Sequence, residues 1–429
     1  MADAHGAEAF CSAADTSLKA KRNVTAIIAG MRTHASHKAA QARACAALWS
    51  LAAQDKQLIA RAGGSGALMA AVSTHSQDLE VLEQGLGALW SLAADADSKT
   101  DIMSHLPAVL SLMHSHHTVA MVQEKCLGII WQLGTIADNK RTLASAGTIS
   151  ATLAAMRAFM QHASGVLEQA CGVIMVLAKA KEARKDLAAE GAIELLVEAL
   201  RAHPQHDGVA APALGGLMNL GGRPDAELQV KIAAAGSIPL IMAAMRAHKS
   251  KAVQMRGSGA VRVLARGSAE NQLALFKAGA IPVLLEAMRT LDDPDALERA
   301  CGALRDLACT SDTHAEIAAG GALLLQAVHH FPAHAALQKE AQSTLQALSK
   351  SGHNLGHFSS AASVAPEDAV TDAWSQDAEA GEQSVENLAS VASLAQTTKL
   401  AAQLFQQPVH LREQQEMMEQ LSHRRREGT

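Results

Sequence analysis

Hydrophobic and small residues recur along the chain in one octamer pattern that appears eight times. The clearest copies are CAALWSLA at 45–52, LGALWSLA at 86–93, LGIIWQLG at 127–134 and CGVIMVLA at 171–178. LGGLMNLG at 214–221, SGAVRVLA at 258–265 and CGALRDLA at 301–308 follow, with a divergent QSTLQALS at 342–349. Each copy carries an anchor leucine 41 to 44 residues from the next: Leu51, Leu92, Leu133, Leu177, Leu220, Leu264, Leu307 and Leu348. A fixed period of this length predicts a repeat protein with stacked units.

A glycine turn follows most anchors by 12 to 16 residues, as in RAGGSG at 61–66, AEGAI at 189–193 and KAGAIP at 277–282. Glycine tolerates positive φ and often ends helices. Pro239 and Pro282 suit the first turn of the following helix, where no N–H is missed. Each unit is therefore predicted to contain a short first helix, a second helix and a long third helix, for example 184–190, 192–202 and 209–221.

Three helices in about 42 residues resemble the armadillo repeat, whereas two helices in about 34 would indicate a tetratricopeptide repeat. CGALRDLA at 301–308 and LGGLMNLG at 214–221 are similar to the armadillo third helix, and AGAIPVLL at 278–285 is similar to the turn into the second helix. The resemblance implies an all-α, right-handed armadillo-repeat solenoid of about eight three-helix repeats. We assign it to residues 20–351, after an N-terminal extension at 1–19.

Positions in the third helix can be numbered back from the anchor, with 100° between neighbours. The anchor, the position three before it and the position seven before it share one face, which we expect to be core. The seventh position is always small: Ala44, Gly85, Cys126, Ala170, Ala213, Gly257 and Ala300. Cys45, Cys171 and Cys301 lie at the edge of this face, and we interpret them as inert buried thiols.

Two further columns point away from the core. The glycine column, five before the anchor, holds Gly87, Gly128, Gly172, Gly215, Gly259 and Gly302. The tryptophan column, two before the anchor, holds Trp49, Trp90, Trp131, Met175, Met218, Arg262 and Arg305. In the armadillo fold the outer side of the third helix lines a concave groove, so either column could contact a bound chain or pack between adjacent repeats. Both interpretations stay open from sequence.

Charged columns flank these positions. The cation column, eight before the anchor, holds Arg43, Lys125, Arg256 and Arg299, and the glutamate column beside it holds Glu83, Glu124, Glu168 and Glu298. Such charges usually form a solvated face. Arg256, Arg262, Arg299 and Arg305 nevertheless come from two neighbouring repeats and could clamp acidic side chains or a phosphate.

The resemblance also sets limits on function. Nuclear-import adaptors carry a Trp and an Asn four residues apart on this helix, but the Trp-equivalent position here is glycine, and only Asn219 matches the Asn position. An import-receptor function is therefore not expected. MRTH at 31–34 and MRAH at 245–248 place a cation at the second-helix C-terminus, where it meets the helix dipole. The histidines of these motifs are too far apart to share a metal, and we predict no metal site.

Composition excludes several classes. Hydrophobic residues make up 49% of the chain but aromatic residues only 2%, which suits packed helices of Ala, Leu and Val. The net charge of −5 provides no basic field for nucleic acid. Five of the six cysteines lie in helical segments without a CxxC pair, indicating buried thiols in a reducing compartment. We expect no signal peptide in residues 1–23 and no transmembrane helix, because no apolar run approaches about 18 residues.

The period stops at Ser351. Residues 352–387 are rich in Ser, Ala, Asp and Glu and are interpreted as an acidic linker that contains Trp374. The segment 388–429 is predicted to be a helical tail, which could dock on a partner or on the solenoid itself. Arg424–Arg426 is a weak nuclear-localisation signal.

No catalytic motif or cofactor-binding fingerprint appears in the sequence, so we predict a non-enzyme without a cofactor. The preferred hypothesis is a cytoplasmic scaffold that binds an extended or helical protein segment in the groove. The predicted contacts are Trp49, Trp90, Trp131, Met175, Asn219, Arg256, Arg262, Arg299, Arg305, Arg43 and Lys125. Two alternatives are a structural subunit of a large assembly, such as a ciliary axoneme, and a cargo adaptor. A cytoskeletal, ciliary or nuclear location stays open.

Overall fold

Helices account for nearly all of the described chain. The computed structural model describes residues 24–222, 226–266 and 268–351, and within these ranges it contains α-helices and no strand. The predicted N-terminal extension, acidic linker and helical tail lie outside the described residues. The described part forms two compact units, 24–102 and 103–351.

Unit 1 contains the first two repeats and the start of the third. Its helices are α1 Val24–Thr33, α2 Lys38–Arg61, α3 Gly64–Thr74, α4 Leu79–Leu92 and α5 Ala96–Ser104, the last of which crosses the unit boundary. Helix α2 joins the third helix of repeat 1 to the first helix of repeat 2 across a kink at Asp55, where φ is −128° and ψ is 41°. Helices α2 and α4 pack directly against each other.

Unit 2 continues the three-helix order through repeat 8. Repeats 3 and 4 contribute α6 Leu106–Ser115, α7 Ala120–Gly134, α8 Ala137–Ser145, α9 Thr148–Phe159 and α10 Ser164–Leu177. Repeats 5 and 6 contribute α11 Lys181–Ala189, α12 Ala192–Ala202, α13 Asp207–Leu220, α14 Ala226–Ala234, α15 Ser237–Ala247 and α16 Lys251–Ala265. Repeats 7 and 8 contribute α17 Ala269–Lys277, α18 Ala280–Thr290, α19 Pro294–Leu307, α20 Ser311–Ala319, α21 Gly321–His330 and α22 Ala335–Lys350.

Third helices pack on third helices in unit 2. The series α7, α10, α13, α16, α19 and α22 forms one layer, and the second helices α6, α9, α12, α15, α18 and α21 form another. Glycines in the left-handed region join first helices to second helices, for example Gly191 at φ 92° and Gly236 at φ 80°. The glycine turns are therefore where the sequence predicts them.

Polar side chains fasten helix to helix and repeat to repeat. Gln254 Nε2 donates to the carbonyls of Met245 and His248 and thus satisfies the end of the second helix; Gln41, Gln123 and Gln338 make the equivalent bonds in their repeats. Arg246 Nη2 donates to the Ala278 carbonyl, 2.8 Å away in the next repeat. The arginine of the MRAH motif is therefore an inter-repeat contact as well as a helix-end cation.

Candidate protein-binding face

The anchor leucines form the core, as predicted. All eight are buried, and none is more than 7% exposed. The small positions seven before the anchor are buried too: a Cβ added to Gly257 would lie 2.6 Å from Cγ of Met245. These residues fix which side of each third helix faces inward, and they leave the opposite side, here called the third-helix face, for other contacts.

The glycine column and the tryptophan column fit together on the third-helix face. In unit 1, a Cβ added to Gly87 would lie 2.9 Å from three atoms of the Trp49 ring. In unit 2, each large side chain likewise lies against the glycine of the following repeat: Trp131 on Gly172, Met175 on Gly215, Met218 on Gly259 and Arg262 on Gly302. A side chain at any of these glycines would overlap its neighbour. Packing between repeats thus accounts for the mid-helix glycines, which cost about 1 kcal/mol each relative to alanine.

Exposure divides the tryptophan column into two groups. Trp131, Met175 and Met218 are 7%, 2% and 7% exposed, so little of each can be reached from solvent. Trp49 and Trp90, on successive third helices of unit 1, are partly exposed. Of the three tryptophans in the column, Trp49 and Trp90 are therefore the more accessible, while the Nε1 atom of each is buried.

The cation column also divides. Arg43 is exposed, and Lys125 is partly exposed beside Glu124. Arg256 is buried, and its Cδ lies close to Gly215. Arg299 donates from Nη1 to the sulfur of Met218, 3.1 Å away and two repeats back. Arg256 and Arg299 therefore lie on the third-helix face, where they cover Gly215 and Met218 respectively.

Asn219 has a contact inside the protein. Its Nδ2 donates to the Met175 carbonyl at 2.9 Å, on the preceding third helix. The amide thus bridges α10 and α13, while the side chain stays partly exposed.

Arg262 and Arg305 lie in an ionic network that sequence reasoning missed. Arg262 contacts Glu298 at 3.0 Å and Glu340 at 2.5 Å, while Arg305 contacts Asp306 at 2.7 Å and also binds Glu340. Arg266 adds a contact of 2.7 Å to Asp306. The sequence signal for this network is a reversal of side-chain charge in the cation column, which holds Arg256 and Arg299 but in repeat 8 holds Glu340.

Two members of the glutamate column, Glu124 and Glu168, are partly buried, and burial disfavours their charged form. Burial, followed by the nearby charges of Glu124 and Asp207, raises the pKa of Glu168 to about 7. Burial also raises the pKa of Glu124, against the opposing effect of Lys125. Each carboxylate packs on a glycine of the next repeat, Glu124 on Gly165 and Glu168 on Gly208. Glu168 is consequently a group whose charge changes near neutral pH.

The cysteines of the described residues comprise four buried thiols and one exposed thiol. Burial raises the pKa of Cys45 and Cys126 to about 12 and also raises that of Cys171 and Cys301. Cys309 is different: it is exposed and lies beyond the end of α19, so the prediction that it belongs to a helix is wrong. Thr313, which forms the capping box of α20 with Thr310, also accepts the Cys309 N–H at its Oγ1.

Among the described residues, no three His, Cys, Asp or Glu side chains are grouped so as to hold a metal ion. In the same ranges, no single helix is both long and apolar enough to cross a membrane. The pair α14 and α15, bent by 75°, meets that criterion together on length and composition alone.

Comparisons with known proteins concern the fold. No protein-family model and no curated protein matches the chain. An engineered protein solved by the Northeast Structural Genomics Consortium is 21% identical with a TM-score of 0.61, over 81% of this chain and 94% of that one. A designed armadillo repeat protein in complex with the peptide (KR)4 is 21% identical with a TM-score of 0.46, over 57% of this chain and 99% of that one. Together with the three-helix repeats described above, the first likeness establishes the fold alone: the chain is an all-α solenoid of stacked three-helix repeats.

Proposed function

We propose that this chain is a non-catalytic scaffold that binds a segment of a partner protein, extended or helical, on its third-helix face. The observation that carries the proposal is the pair of partly exposed tryptophans, Trp49 and Trp90, on successive third helices of unit 1. Tryptophan offers a large rigid apolar surface, and such residues dominate the energetics of protein interfaces.

The rest of the tryptophan column is assigned a structural role. Trp131, Met175 and Met218 are nearly covered, and each fills the space above a glycine of the next repeat. A ligand could reach them only by displacing a contact that joins two repeats. Partner recognition is therefore assigned first to Trp49 and Trp90, with the exposed Arg43 on α2 as a candidate charged contact.

Site-specific photo-crosslinking tests the proposal. A photoreactive residue at Ser50, which is exposed next to Trp49, should capture the partner in cells. The same residue at Gln57, exposed beyond the kink of α2, should not. Trp90→Ala should lower capture at Ser50 by roughly tenfold or more, the size expected for an interface hot spot.

Trp131→Ala is the matched control, since it removes the same side chain from a buried position. It should lower the melting temperature without a selective loss of capture at Ser50. Equal capture at Ser50 and Gln57, or equal loss in both Trp variants, would contradict the proposal. Extraction of the captured complex at low and high salt then separates a dissociable scaffold or cargo adaptor from a permanent subunit of a large assembly.

A further inference from the structure

Three successive third helices of unit 2 meet in a nearly buried ionic network. Helix α16 and its C-cap contribute two arginines, α19 contributes an arginine and two carboxylates, and α22 contributes one carboxylate. The members are Arg262, Arg266, Glu298, Arg305, Asp306 and Glu340. Three positive and three negative charges balance, so removing any one member leaves a charge without compensation at a site largely shielded from water.

Glu340 occupies the centre of this network. It is 4% exposed, and its two carboxylate oxygens are shared between two guanidinium groups: Oε1 accepts from Arg262 Nη2 at 2.5 Å, and Oε2 accepts from Arg305 Nη1. Planar arginine donors arranged around a single two-oxygen acceptor are the usual protein solution for binding a carboxylate. Glu340 is thus placed as a ligand of an arginine pair.

The repeat geometry explains how Glu340 arrives there. It lies in the cation column, whose repeat 7 member Arg299 reaches two repeats back to Met218. Glu340 reaches two repeats back in the same way, to Arg262 in the tryptophan column. The carboxylate therefore extends across the third-helix face, along which a partner segment would lie.

Repeat 8 is the last repeat of the described residues, and within them α22 packs mainly on α19, α20 and α21. A repeat with a neighbour on one side opens more readily than one with neighbours on both sides. Opening repeat 8 withdraws Glu340 and leaves Arg262 and Arg305 without its carboxylate.

We propose that Arg262 and Arg305 form a binding site for a carboxylate of an acidic protein segment, and that Glu340 occupies this site as an internal competitor. The inference rests on the proposed function, because it uses the same third-helix face. It adds two things, namely that the partner segment is acidic and that its binding is regulated. The segment binds when repeat 8 opens and Glu340 leaves the two arginines. The site belongs to unit 2, whereas the tryptophans assigned to recognition belong to unit 1.

The experiment uses the full chain and a fluorescently labelled octaglutamate peptide. Glu340→Ala should bind the peptide on the order of tenfold more tightly than the unaltered protein, because the competing internal state is removed. Arg262→Met combined with Glu340→Ala should lose this gain, and methionine is the residue that repeats 4 and 5 carry in the same column. Glu286→Ala, which removes an exposed carboxylate on α18, controls for net charge and should leave binding unchanged.

Glu340→Gln covers the case in which the alanine variant fails to fold, since it keeps the side-chain size and one acceptor oxygen. It should also bind the peptide more tightly than the unaltered protein. Unchanged affinity in every folded Glu340 variant, or the same gain in Glu286→Ala, would overturn the inference. Photo-crosslinking at Ser50 is independent of these outcomes, so a failure here is distinguishable from a failure of the proposed function.

Discussion

Glu168 should make the stability of repeats 4 and 5 depend on pH in a direction opposite to ordinary acid denaturation. Its pKa is raised from the usual 4.5 to about 7 by burial and by the charges of Glu124 and Asp207. The folded protein thus holds this proton more tightly than the unfolded chain. The penalty for the charged form is absent below pH 4.5, grows between 4.5 and 7, and is complete above 7.

The size of the effect follows from the shift. One pKa unit corresponds to about 1.4 kcal/mol, so a rise to about 7 gives roughly 3 kcal/mol as an upper bound. Because Glu168 is partly exposed, water reduces this, and we expect about 1–3 kcal/mol. Glu168→Gln keeps the shape of the side chain and removes the charge. It should therefore raise the free energy of unfolding by that amount at pH 8 and by almost nothing at pH 4.5.

Hydrogen exchange of the α10 and α13 amides measures the effect locally, which suits an array whose repeats open separately. Intrinsic exchange rates at each pH must be divided out. Glu194→Gln is the matched control, since it makes the same charge change at an exposed position on α12. Equal protection of Glu168→Gln and the unaltered protein at pH 8 would refute the reasoning. So would a gain that is the same at pH 8 and pH 4.5.

Three further predictions follow from single contacts. Gly172→Ala should destabilise the protein by about 1–3 kcal/mol in thermal unfolding, because the added Cβ overlaps the Trp131 ring. Gly66→Ala, with open space around it, should stabilise the protein by about 0.5–1 kcal/mol. Stability changes of the same sign in the two variants would contradict the packing of Trp131 on Gly172. His206 caps α13 by accepting the Val209 N–H at Nδ1, and its pKa is lowered, first by burial and then by His203. Protection of the first turn of α13 should consequently fall as pH drops below about 6.5, and His206→Asn should abolish that dependence. Iodoacetamide should label Cys309 in the folded protein while the four buried cysteines react only after unfolding, as read by mass spectrometry; early labelling of Cys171 would show that repeat 4 opens.

The fold was largely predictable because one period governs the whole array. The spacing of the anchor leucines and the glycine turns are each set by local physics, namely helix periodicity and positive φ at glycine. Helix α2 is an exception: two predicted helices form a single kinked one, and the turn at Asp55 carries neither glycine nor proline.

The candidate site was less predictable, because its contacts between repeats connect residues 35 to 81 positions apart. The sequence places Trp131 and Gly172 in separate columns, and only the packing of α7 on α10 brings them together. The choice between packing and binding depended on that contact. Similarly, Glu340 lies two residues before the divergent octamer copy, and its partners Arg262 and Arg305 come from two other repeats. Comparing the charge of the side chains at equivalent positions of successive repeats would have identified Glu340 as the exception.

The interlock of large side chain and glycine has a consequence for how such an array can change length. Every junction in repeats 3 to 7 of unit 2 presents the same glycine socket, whatever residue fills it. Excising one repeat period between Met175 and Met218 would bring Met175 against Gly259, where Met218 already makes a contact of the same kind. Gain or loss of a whole repeat thus keeps a large side chain opposite a glycine at the new junction. An insertion or deletion of a few residues moves the two positions out of contact. This shared contact therefore favours insertions and deletions of whole repeats over those of a few residues.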